Sequence, residues 1–96
     1  MDLGTTIKNI RKQKGLTQGE FASNCEITQS YLSLIESNQK EPNMSVVKVI
    51  AEKLDVPLPI LFFLSMNEED VPESKRSAFQ IINPSVKSLV YEFFSV

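Results

Sequence analysis

Residues 26–37, EITQSYLSLIES, combine two unlike sides on one short segment. Wound as a helix, Tyr31, Leu32 and Ile35 fall together on one face. Gln29, Ser30, Ser33, Leu34 and Ser37 fall on the other. That second face carries one amide, three hydroxyls, one leucine and no charge. A helix turned only to water more usually shows Lys and Glu there. Amides and hydroxyls both donate and accept hydrogen bonds, so this face has the chemistry to match another array of polar groups one by one. Its plain alternative is a solvated surface, because such residues are common on exposed helices.

Other chemistries are poorly served. The chain has no His and a single Cys, Cys25, so the usual zinc ligand sets and the Ser–His and Cys–His nucleophilic pairs cannot be assembled within it. Its three glycines form no phosphate-cradling cluster. No carboxylates sit in a pattern that suggests an acid/base pair. An enzyme is not expected, nor a metal or other cofactor. The length of 96 residues suits one domain near the lower end of what buries an adequate core. The longest apolar run, PLPILFFL at 57–64, is far short of the roughly 18 residues a membrane span needs. No secretory signal is visible, and one cysteine fits a reducing compartment. The cytoplasm is the expected location.

The net charge of −2 does not advertise a nucleic-acid binder, but the charge is unevenly placed. Residues 1–40 hold five bases against four acids, and residues 41–96 hold five against eight. Lys8, Lys12 and Lys14 lie in one short segment. They fit a solvated face, with one or two phosphate contacts conceivable.

These groups need elements to hold them. Leu3, Ile7 and Ile10 recur at helical spacing, which predicts a helix over 3–14, capped by Asp2 or Thr5 and stopped at Gly15. Thr17 with Glu20 three residues on is the capping-box pattern, predicting a second helix to about Cys25 that buries Phe21, Ala22 and Cys25. Thr28 is a good cap for the third helix, to about residue 37. SNQKEPN is loop by composition. Asn43 caps a fourth helix over 44–54, with Met44, Val47, Ile50, Ala51 and Leu54 expected inward. A fifth runs from Val56 to about Leu64, starting near Pro57. SMNEEDVPESKR, from Ser65, reads as a linker or loose surface segment. FQII at 79–82 is ambiguous. Asn83-Pro84 predicts the start of a last helix with an apolar stripe of Val86, Leu89, Val90, Phe93 and Phe94. The expected organisation is residues 1–64 as one unit and 65–96 as linker plus apolar helix.

Only Glu26, Ile27 and Thr28 separate helices two and three, and so short a turn sets them at a steep angle. RKQKGLTQGEFA, ITQSYLSLIESNQKEPN and KVIAEKLDVPLPILF together resemble the Cro and phage-repressor type helix-turn-helix family, also called the xenobiotic-response-element type. The likeness covers residues 3–64. It implies an all-α, five-helix lambda-repressor-like DNA-binding domain, here with a short C-terminal helical extension, and a third helix lying in the DNA major groove.

The resemblance also assigns roles. Gln18 would reach a phosphate and brace the first reading residue. Gln29 and Ser30 match positions that meet base edges, with Ser33 and Leu34 further along. A Gln amide pairs in two-pronged fashion with adenine N6 and N7, worth about 1–3 kcal/mol of discrimination. Leu34 is open between touching a thymine methyl, packing beside Tyr31 and simple exposure. Tyr31 is open between core filling and lending its hydroxyl to a phosphate. Asn38, Gln39 and Lys40 lie where the family contacts the DNA backbone, and the caps Thr17 and Thr28 complete the expected DNA-contacting set. Arg11 and Glu36 match a pair that bridges helix one to helix three, a supporting role; removing one would strand the other charge. One position departs from the pattern: the family usually has Gly at the turn, where this chain has Glu26.

A helix-turn-helix of this size touches few base pairs, so a homodimer through residues 56–96 is expected, with double-stranded DNA as partner. The expected function is a sequence-specific transcriptional regulator, a repressor by preference. The rival is a protein-interaction module or antitoxin-type protein that uses the apolar C-terminal segment on another protein.

Overall fold

The computed structural model describes residues 1–96 and contains only helices and turns. They are α1 (Leu3–Gln13), α2 (Gln18–Asn24), α3 (Gln29–Glu36), α4 (Met44–Leu54), α5 (Leu58–Ser65) and α6 (Arg76–Phe94). Two single 3-10 turns, Glu68–Asp70 and Glu73–Lys75, lie between α5 and α6.

The expected start signals are used. Asp2 accepts from the Thr5 amide, Thr28 from Tyr31 and Asn43 from Val46. Thr17 and Glu20 cap each other's backbone amides at 3.1 Å. Each of these bonds satisfies a donor that the helix itself cannot pair. The first four helices also end alike. A residue with positive φ follows the last turn, Gly15, Glu26, Asn38 or Asp55. Its amide and the next one fold back onto the closing carbonyls, as in Glu26 to Ser23 (3.1 Å) and Ile27 to Ala22 (3.0 Å). This is the Schellman arrangement.

Helical spacing then decides the core. Ile7, Phe21, Leu32, Ile35, Ile50, Leu54 and Leu61 are almost wholly removed from water, each worth about 1.5–3 kcal/mol in apolar transfer. Met44, expected inward, is 52% exposed instead. It is the first residue of α4, one turn outside the stretch where Val47, Ile50, Ala51 and Leu54 face the bundle.

The segment after Ser65 is not loose. The Asp2 amide donates to the Ser65 carbonyl at 2.8 Å, and the Met1 ammonium reaches Asp70 at 2.9 Å. Arg76 donates to the carbonyls of Glu68 and Val71 at 3.0 and 3.2 Å. Acidic composition suggested a linker, but these residues are consumed in tying down the first 3-10 turn.

α6 likewise does not begin at Asn83-Pro84. It starts at Arg76 and runs 19 residues with Pro84 inside it. An interior proline removes one ladder bond and costs about 3 kcal/mol, so the helix needs outside support. Val90 and Val96 are buried in the core, and Val86 packs against it. Asn83, no longer a cap, is left with its side-chain oxygen buried and unpartnered.

Gly4 lies where α1 closely approaches the end of α3. A Cβ there would lie 2.2 Å from the Ile35 carbonyl oxygen and 2.6 Å from Asn38 Oδ1. Alanine usually stabilises a helix interior relative to glycine by about 1 kcal/mol. Here the sign reverses, because a backbone carbonyl must move to admit the methyl group. Gly4→Ala is expected to lower stability by about 1–3 kcal/mol in urea denaturation; an unchanged or higher midpoint would show that the approach is not tight.

Candidate nucleic-acid interface

The outer face of α3 is presented by the α2–α3 turn. Glu26 takes φ 58° there, a conformation that L residues other than Asn and Asp seldom visit. It persists because the Schellman bonds close α2 and Ile27 is half-buried against the core. Thr28 then starts α3 at once, so the two helices are held by four successive residues without slack.

Gln18, Gln29, Ser30, Ser33 and Leu34 line one shallow depression on this surface. It gathers the expected reading residues and no charged side chain. Leu34 is 39% exposed, which leaves it free to touch what enters the depression. Tyr31 is half-buried, and Lys40 places its Nζ 5.6 Å from the Tyr31 ring centre. That cation–π contact holds the one basic group of this loop beside the end of α3.

Behind the depression lies a charged pair. Arg11 Nε donates to Glu36 Oε2 at 2.7 Å and Nη2 to Oε1 at 2.9 Å, with side-chain exposures of 7% and 3%. Arg11 Nη1 also donates to the Leu16 carbonyl at 2.8 Å. The pair fixes α1, α3 and the α1–α2 loop relative to one another. It continues outward: Gln18 Nε2 donates to Glu36 Oε1 at 3.1 Å, and Gln29 Nε2 donates to Gln18 Oε1 at 3.5 Å. The last contact is long and is the weakest link. Direction still passes along the chain, because Glu36 can only accept. Gln18 must turn its NH2 inward and its oxygen outward, and Gln29 then offers one free N–H and its oxygen to the surface.

Gly19 makes room for this. A Cβ on it would come within 3.3 Å of Gln29 Oε1. A glycine so near a helix start carried no message in the sequence; its low helix propensity was the only available sign.

Asn38, in the loop after α3, also bonds within the domain. It sits at φ 59°, its Oδ1 accepts from the Gly4 amide at 3.1 Å and its Nδ2 donates to Asp2 Oδ1 at 2.7 Å. Its amide is engaged within the domain, clamping the start of α1 to the end of α3. The same bond, with help from Thr5, holds the Asp2 carboxyl below its ordinary pKa. Thr17 and Thr28 are exposed caps whose hydroxyl oxygens accept from backbone amides, leaving each O–H free to donate. Lys8, Lys12 and Lys14 are exposed on and just after α1 and do not line the depression. Cys25 is core, and burial pushes its thiol up to about 11.

Two short helices joined by a left-handed turn, with a polar outer face on the second, make a helix-turn-helix unit. The chain belongs to the helix-turn-helix family: a model of that description matches residues 7–61. It is 38% identical over 72 residues to the HTH-type transcriptional regulator YqaF of Bacillus subtilis, covering 75% of this chain and 93% of that protein. Identity to the HTH-type transcriptional regulator SinR of Bacillus licheniformis is 36% over 72 residues, 74% of this chain and 61% of that protein. The immunity repressor protein of Bacillus phage phi105 matches at 36% over 56 residues, 58% of this chain but 39% of its own length. The chain therefore spans less than two thirds of two of these three relatives. In fold it is similar to the crystal structure of the clp gene regulator ClgR from Corynebacterium glutamicum, with TM-score 0.65, 19% identity and coverage of 94% and 87%.

Glu26 yields a test of the turn. A non-glycine residue in the left-handed region costs on the order of 1–2 kcal/mol, partly offset by the greater unfolded-chain freedom of glycine. Glu26→Gly is expected to raise stability by roughly 0.5–1 kcal/mol in thermal melts without altering ligand preference. A neutral or lower melting temperature would refute the strain.

Proposed function

We propose that the protein is a sequence-specific double-stranded DNA-binding regulator of transcription, a repressor acting in the cytoplasm as a homodimer through residues 56–96. α3 enters the major groove. The observation that carries this reading is the uncharged depression of Gln18, Gln29, Ser30, Ser33 and Leu34 with the buried Arg11–Glu36 pair behind it. Likeness to the immunity repressor of the phage favours repression over activation.

Gln29 is the principal reader. Its free N–H and oxygen suit adenine N7 and N6 as a pair. Ser30 and Ser33 donate to or accept from neighbouring edges or phosphates, and Leu34 meets a thymine methyl. Thr17, Thr28 and Lys40 bind phosphates, as does Gln18 through the amide N–H that Glu36 leaves free, and these contacts position the domain without reading it. Asn38 supports the site from within and is not a reader.

Few cations line this face, so the salt dependence of binding is shallow, its slope being set by the number of neutralised phosphates. Selection of bound duplexes from a random pool, followed by a salt titration, tests the reading. Enrichment of one sequence, with binding that weakens as salt rises, is expected. On the selected duplex Gln29→Ala should lose about 1–3 kcal/mol, and lose it at one base pair only. No enrichment at low salt would instead favour the protein-interaction reading, for which the exposed apolar side chains of α6 are the relevant observation.

A further inference from the structure

α6 does not present its apolar stripe to the bundle as one piece. Val86 and Val90 turn inward, whereas Leu89 is 52% exposed and Phe93 is 74% exposed. Ile82, at 56% exposure, lies on the same outward side. With the exposed Ala78 and Ser85 these residues recur at intervals of four, three, four and four, the spacing of a seam between two packed helices.

We propose that this outward seam of α6 pairs with the same seam of a second copy, in antiparallel order about a two-fold axis beside Ser85. The proposal deepens the dimer reading above and rests on it. Size complementarity sets the direction. Antiparallel pairing lays the smallest seam residue, Ala78, against the partner's Phe93, and Ile82 against the partner's Leu89. Parallel pairing would oppose Phe93 to Phe93 and leave a gap at Ala78. The seam is thus self-complementary under a two-fold rotation, as an isologous contact must be. Small residues at 78 and 85 let the helices approach to the near end of the usual 8–10 Å separation.

The available surface suits a dimer of modest strength. α6 is 19 residues long, about 28 Å at the helical rise. One aromatic and two large aliphatic side chains per copy, with the residues between them, present on the order of 1,000 Å² for the pair, the lower bound for a specific interface. An exposed stripe of this kind on a free monomer would be a liability for solubility.

Cysteine cross-linking and a charge insertion test the seam on the full chain. Ser85→Cys is expected to form a disulfide dimer on mild oxidation, since two such residues beside the axis bring their Cα atoms within bonding range. Ile81→Cys, about 80° around the helix from the seam, should not. Cys25 is buried and stays out of the reaction. Leu89→Asp should sediment as a monomer while keeping the wild-type circular dichroism, with a cooperative melt that no longer depends on protein concentration. Cross-linking through residue 81 but not 85, or a Leu89→Asp protein that remains dimeric, would overturn the seam. So would a wild-type protein that is monomeric at tens of micromolar, whether or not α6 captures a different protein. The two readings fail separately. Base preference retained by monomeric Leu89→Asp at reduced affinity supports both. A wild-type dimer cross-linked through residue 85 that shows no base preference removes the DNA reading and leaves the seam.

Discussion

A buried ion pair sets the geometry on which the rest of this structure depends. Arg11 and Glu36 are removed from water almost entirely, and their two-pronged contact is short on both arms. Desolvating two charges offsets most of what their attraction gains, so such a pair contributes little net stability compared with an apolar replacement. Its consequence is directional. Glu36 near the end of α3 can meet Arg11 on α1 in one arrangement only, and the remaining acceptor capacity of Glu36 dictates how Gln18 turns. The orientation of an exposed amide at Gln29 is therefore inherited from a charge in the interior.

A second constraint keeps that arrangement from drifting. α1 to α4 are each started by a side-chain cap and closed by a left-handed residue whose amides fold back on the helix. Only one of the four closing residues is glycine. Asp55 and Asn38 tolerate the conformation through their short polar side chains, and Asn38 adds a clamp to Gly4 and Asp2. Glu26 has neither advantage, so strain is concentrated at the turn that aims α3. The loops are short because the caps leave no residues over, and the outer face of α3 is held from both ends.

Much of this was legible in the sequence, for identifiable reasons. Caps and helix periods are local patterns, so α1 to α5, Thr17, Thr28, Asn43 and the core positions other than Met44 could be placed without coordinates. The outer face of α3 stood out because its polar residues were uncharged where Lys and Glu would be ordinary. What failed were long-range contacts. Acidic composition after Ser65 looked like a linker, since nothing local says that Asp70 meets the Met1 ammonium. Asn83-Pro84 carried a strong helix-start signal, yet tertiary support from Val86 and Val90 runs α6 straight through it. Asn38 was placed by its loop position alone, and only the approach of α1 brings its amide to Gly4 and Asp2. The division of the C-terminal stripe into inward valines and outward Leu89 and Phe93 was equally invisible.

Interior charge orients the exposed amide of Gln29, the proposed reader, and one variant separates orientation from stability. Arg11→Met combined with Glu36→Leu replaces the pair by apolar groups of similar volume, a change that typically leaves folding stability equal or higher. Base discrimination is then measured on the selected duplex and on the same duplex with the base pair opposite Gln29 exchanged. The double variant is predicted to melt near or above the wild type and to lose most of the discrimination at that base pair, although Gln29 is still present. Full discrimination in a stably folded double variant would contradict the account.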